Sequence, residues 1–185
     1  MHNPDAPQYY SAEFDVQIRE FIDQHRTMLA ACLDGLTEDE ARVRLVPSKT
    51  TLLGLVKHAA FVERVWFAEA PTGCNRADLG IVETPDESFD LTDADNIDSV
   101  LSDFGRACED SRRAVLDVGG DVTWSGNRRG ALSLRWIQLH VLREHSQHCG
   151  QADILREQVL ARRRAADEVA PRIIPRTPQG KKMNR

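Results

Sequence analysis

Apolar residues recur at three- and four-residue steps in four stretches of the chain, and each stretch predicts a helix. The first runs from Ser11, a good N-cap residue, to about Leu36, with Phe14, Ile18, Phe21, Ile22, Met28, Leu29 and Leu33 as its stripe. Gly35 suits a C-terminal stop, and Thr37-Glu38-Asp39-Glu40 reads as a capping box opening a short helical turn. The second helix spans about Thr51 to Ala70, striped by Leu52, Leu55, Ala59, Val62 and Trp66 and closed by Pro71-Thr72-Gly73. The third covers about Asp95 to Val118, with Ile97, Val100, Leu101, Phe104, Cys108 and Val115 inward and Gly119-Gly120 as its stop. The last begins near Ala131 and reaches Arg164, long for a globular helix.

Between them lie two connections of different character. Residues 71–95 are rich in Gly, Pro, Asp and Thr, and a crossover this long often carries function or wraps a site. Val122 to Gly130 reads as a turn-rich loop, and no convincing strand pair stands out. The pattern therefore predicts an all-α fold, a four-helix up-and-down bundle with a long connection between its second and third helices. Its domain layout is an N-terminal arm over 1–10, the bundle over 11–164, and a basic tail over 165–185.

Composition narrows the function classes. With 41% hydrophobic and 29% charged residues, the 185-residue chain has the profile of a soluble domain with one core. No apolar run approaches the roughly 20 residues that span a bilayer. The opening Met-His-Asn-Pro-Asp lacks the basic and apolar regions of a secretory signal, so the expectation is a cytoplasmic protein with no membrane partner. A net charge of −5 argues against nucleic acid as a partner. Cys32, Cys74, Cys108 and Cys149 form no C-x-x-C pair and should be free thiols, with Cys149 a packed apolar residue.

The candidate chemistry sits in the last helix. His140, Glu144 and His148 are four apart, so at about 100° per residue they drift only about 40° per step and share one face. A solvated pair is the plain reading of Glu144 and His148 alone. Trp136, Ile137, Val141, Ala152 and Leu155 border the face, however, and turn it partly inward. A carboxylate buried among imidazoles needs a cation or strong hydrogen bonds. His58, on the edge of the second stripe, offers a further nitrogen from another helix. His140 is placed to bond Glu144 or a bound water, or simply to pack. His145 points about 100° away and reads as a surface residue or one behind the ligands.

Leu52 to His58 followed by Glu63-Arg64-Val65-Trp66-Phe67, together with Glu144-x-x-x-His148-x-Gly150-Gln151-x-Asp153, resembles the DinB-like superfamily over about residues 11–160. The resemblance is strongest to its mini-circle branch and to thiol-dependent members typified by mycothiol-dependent maleylpyruvate isomerase. It implies that His58, Glu144 and His148 are the metal ligands, in a His-Glu-His variant of the usual three-histidine set. It further implies a divalent ion, zinc first, with nickel, iron or manganese also suited to nitrogen and oxygen donors. Mycothiol is the implied cosubstrate, and the activity would be an S-transferase or isomerase acting on a small electrophile. A non-catalytic metal- or small-molecule-binding protein of the stress-related kind is the alternative, and exposed apolar helix faces leave a homodimer open. Arg128, Arg129 and Arg135 are candidates for binding a carboxylate of substrate or cofactor, against the plainer reading of a solvated loop. Trp124 and Trp136 line either the pocket or the core.

Overall fold

The computed structural model describes residues 7–169, so residues 1–6 of the expected arm and 170–185 of the basic tail lie outside it. The described chain is mostly helical. Its helices are α1 (Phe14–Ala31), α2 (Glu38–Arg42), α3 (Leu52–Arg64), α4 (Ala70–Thr72), α5 (Ile97–Val115) and α6 (Leu134–Val169). Between α3 and α4 the rod continues through a π-helical turn, Val65–Glu69. No helix among the described residues is long and apolar enough to cross a membrane.

Local chemistry sets most of the boundaries. The Thr37–Glu40 capping box forms as read, the side chain and backbone of each residue satisfying the other. Thr51 caps α3 by accepting from Gly54 N at 3.0 Å. Asn96 and Ser99 make a second capping box at the start of α5. Gly73, at φ 68°, supplies the left-handed residue that stops the second rod. Ser11 is not the cap of α1. It ends a short 3-10 turn, Gln8–Ser11, and α1 begins three residues later.

The first stripe is corrected as well. Ile18, Ile22, Leu29 and Leu33 are buried, but Phe14, Phe21 and Met28 are exposed at 51%, 43% and 48%. At about 100° per residue these three lie on one flank of Ile18, while Arg26 lies on the other. The buried arc of α1 has rotated toward Arg26 because that guanidinium has a partner in the core.

α1 packs along α6 and α3 along α5, while α3 also meets α6. α3 is the central element, with residues from Leu52 to Glu63 buried except Lys57. The core falls into two apolar clusters. One joins Leu29 and Leu33, the first half of α3, Val100 to Cys108 and Cys149 to Val159. The other joins Ile18 and Ile22, Phe61 to Ala70, Val115 and Leu134 to Val141. On α1, α3 and α6, the residues Arg26, Glu63 and His145 fall between the two sets. Arg26 holds Glu63 through two bonds, Nε–Oε1 at 2.8 Å and Nη2–Oε2 at 2.6 Å, and His145 Nε2 donates to Glu63 Oε1 at 2.7 Å. Burial pushes the Glu63 carboxyl up, but Arg26 and His145 outweigh it and hold it well below the ordinary carboxylate value.

The loop before α6 contains a strand pair that the sequence pattern does not reveal. β1 (Thr123–Trp124) and β2 (Leu132–Ser133) are antiparallel, in register Thr123↔Ser133 and Trp124↔Leu132. Gly126, in the intervening loop, donates to the Ala70 carbonyl at 2.9 Å. A Cβ there would stand 2.4 Å from Gly73 N and 2.6 Å from Glu69 O, so only glycine lets the hairpin seat against the end of α4.

Candidate metal centre

α3 and α6 converge so that one ligand atom each from His58, Glu144 and His148 lies within 4.8 Å of the others. The two imidazoles are buried, at 5% and 7% exposure, and Glu144 is partly open. The imidazole rings meet edge to face at 4.8 Å.

The hydrogen bonds behind the rings decide which nitrogens face the site. Ser88 Oγ gives its single proton to the Pro85 carbonyl at 2.6 Å, so it accepts from His58 Nδ1, also at 2.6 Å. His58 therefore carries its proton on Nδ1 and presents a bare Nε2. His148 does the same, since its Nδ1 donates to Gln151 Oε1 at 2.8 Å. Its Nε2 is buried with no hydrogen-bond partner among the described residues. Phe89 stacks on His58 at 4.2 Å and fixes the ring plane. Outer partners that set tautomer and orientation are the usual support of a histidine metal ligand.

Both rings are neutral. Burial drives the His58 pKa down to about 3, with His148 and His145 nearby adding to the fall. Burial also lowers His148, against the opposing pull of Gln151 and Glu144. Two bare imidazole nitrogens and a carboxylate make a donor set that fits a divalent ion, and the orphaned Nε2 is the atom an ion would satisfy.

Two members of the cluster, His58 and Glu144, line a cavity of about 180 Å³. Trp66 and Val65 of the π turn line it, with Arg76 and Pro85 from the long crossover, Arg128 and Arg129 from the hairpin, and Arg143. The crossover thus wraps the site as its length suggests, and it also supplies Ser88 and Phe89.

The other candidates separate. His140 is buried, stacked on Trp136 at 5.1 Å, and accepts from Arg143 Nη2 at Nδ1 at 2.8 Å. Its Nε2 proton therefore faces Glu144 Oε1, 3.7 Å away. Burial lowers its pKa, with Arg143 and Arg129 adding to the fall against Glu144. His145 is not at the surface but fully buried against Glu63. Arg128 and Arg129 line the cavity. Arg135 does not, since it pairs with Asp15 and Asp121. Trp124 packs edge-on against Phe67, and Trp136 is half exposed beside His140. Cys149 is a packed core residue, as read.

Trp66 was expected only as a core position of the second helix, and Arg76, Ser88, Arg143 and the Arg26–Glu63 pairing carried no expectation. Glu63 carried a signal: it lies four residues after Ala59, on the buried side of an apolar helix. Ser88 carried none.

A mostly helical chain whose second and last rods bring two imidazoles and a carboxylate together is of the DinB-like class. Residues 17–161 match the mycothiol-S-transferase family of that superfamily, and the chain belongs to this family. No curated protein matches it.

Proposed function

We propose that this protein is a divalent-metal-dependent S-transferase that joins mycothiol to a small electrophile, within a four-helix up-and-down bundle. The observation that carries the reading is the His58, Glu144 and His148 cluster, with His58 and Glu144 lining a cavity, in a member of the mycothiol-S-transferase family. Zinc is the first expectation, and nickel, iron or manganese suit the same donors. A divalent cation held there would lower the pKa of an arriving thiol, so that the thiolate exists near neutral pH.

The chain's own residues define the rest. His58 and His148 are held as neutral donors by Ser88 and Gln151. Glu144 Oε1 accepts from Arg143 Nη2 at 3.4 Å, with His140 Nε2 3.7 Å away. The thiol sulfur forms a bond to the electrophilic carbon, the leaving group departs with its electron pair, and the thiol proton passes to solvent. Burial pushes the thiols of Cys32 and Cys108 up to about 12 and that of Cys149 to about 11, so these three are poor nucleophiles at neutral pH.

The test is thioether formation from mycothiol and a fluorogenic alkylating reagent, using zinc-loaded and chelator-treated protein. Turnover that needs the metal and disappears in His148→Ala is expected. Metal-loaded protein that leaves the uncatalysed rate unchanged across a broad reagent panel overturns the proposal in favour of a non-catalytic binding protein.

A further inference from the structure

The cavity over the ligand cluster has an unusual charge balance. Four arginines, Arg76, Arg128, Arg129 and Arg143, line it against a single acidic residue, Glu144. That carboxylate is already claimed by the cation in the reading above. Elsewhere this acidic chain commonly neutralises its arginines with Asp or Glu, as at Arg64, Arg112, Arg135 and Arg163.

Arg76 is engaged by Glu69 at 2.9 Å, and Arg143 by His140 and Glu144. The side chains of Arg128 and Arg129 have no hydrogen bond or ion pair among the described residues. Arg129 is nevertheless held in place. The Arg129 guanidinium lies over the Trp66 ring at 5.9 Å, and its backbone N donates to Oδ1 of buried Asn127 at 3.0 Å. Two residues before Arg128, Gly126 locks the loop to the end of α4. An unpaired guanidinium seated on an aromatic face, with a second unpaired arginine next to it in the chain, is a receptor for a planar or tetrahedral oxyanion.

We propose that the cavity selects an electrophile bearing an anionic group, a carboxylate or a phosphonate, and that Arg128 and Arg129 bind that group. This assignment of substrate class rests on the transferase reading. Mycothiol carries no ionised acid group of its own, so the charge complement falls to the second substrate. Arg128 and Arg129 then hold the anion while the reactive carbon is turned toward the open side of the His58, Glu144 and His148 cluster.

The test measures binding and turnover separately. Binding of 4-methylbenzoate and of neutral 4-methylbenzamide is compared by calorimetry on the zinc-loaded full chain, at one fixed ionic strength, for wild type and Arg128→Gln/Arg129→Gln. The acid should bind at least about tenfold tighter than the amide, and the double substitution should cut that ratio at least about fivefold. Equal binding of the two probes overturns the proposal. So does a ratio that the double substitution moves less than about fivefold, because the metal alone would then account for the selectivity. In parallel, 4-(chloromethyl)benzoate should be a better substrate with mycothiol than its methyl ester, after subtracting uncatalysed rates. An ester turned over as well as the acid counts against the proposal. Absence of turnover with both electrophiles, alongside charge-selective binding, overturns the transferase reading while supporting the anion site.

Discussion

Replacing Glu63 with glutamine keeps the shape of the core and removes a fully buried negative charge. Arg26 is 7% exposed and His145 is sealed, so neither can turn to water. Arg26 would retain only Asp23 as a charged partner, at 2.8 Å on the side nearer solvent. Breaking one side of a buried ion pair costs about 3–5 kcal/mol, and the surviving Asp23 contact places the expected loss at the lower end, about 3 kcal/mol. For a chain of this size that is a fall in Tm of about 6–12 °C. Urea unfolding followed by circular dichroism reads it, with chelator present throughout so that metal binding does not contribute. The sign with pH follows from the same group. The Glu63 carboxyl is held near 2 in the folded protein against an ordinary 4.5. Its stabilising effect is therefore complete above about 4.5 and is lost as pH falls toward 2, and Glu63→Gln should lack this part of the acid slope. The triple variant Arg26→Met/Glu63→Leu/His145→Leu, which removes every charge, should lose less than Glu63→Gln alone. A Glu63→Gln protein within about 1 kcal/mol of wild type would refute the view that this network is sealed and mutually dependent.

Three further outcomes are expected. Ser88→Ala removes the acceptor that holds the proton on His58 Nδ1, and chelator competition should show metal affinity falling by about 10–100-fold with little change in fold. Gly126→Ala drives a methyl group into the backbone of Glu69 and Gly73; thermal unfolding should show a loss of about 1–3 kcal/mol, and KM for the electrophile should rise because Arg128 and Arg129 shift. Thr51→Ala removes the cap of α3 and should cost about 1 kcal/mol in urea unfolding while metal stoichiometry stays unchanged.

Much of this arrangement could be read from the chain. Periodicity located the long helices, and Thr37, Glu40, Gly73 and the Pro71 region gave their punctuation. Spacing by four put Glu144 and His148 on one face, and the family resemblance joined them to His58. What escaped depended on partners far along the chain. Phe14, Phe21 and Met28 looked inward because a stripe shows amplitude, not which edge a distant carboxylate will claim. Arg26 took the inner edge by pairing with Glu63, 37 residues away. His145 was rightly read as turned away from the ligands. On a helix packed against both α1 and α3, however, that direction leads into the core rather than to water. Arg135 is near Arg129 in sequence, but its position at the start of α6 aims it at Asp15, 120 residues earlier. The two-residue strands of the hairpin are too short to display any alternation.

Elemental analysis of untagged protein reads whether α3 and α6 together build one three-ligand metal centre. Purified after exposure to zinc and extensive dialysis, the wild type should hold about one divalent ion per chain, and His148→Ala should fall to background while keeping its helical spectrum. A folded His148→Ala protein that still carries a full equivalent would contradict the ligand assignment and every step built on it.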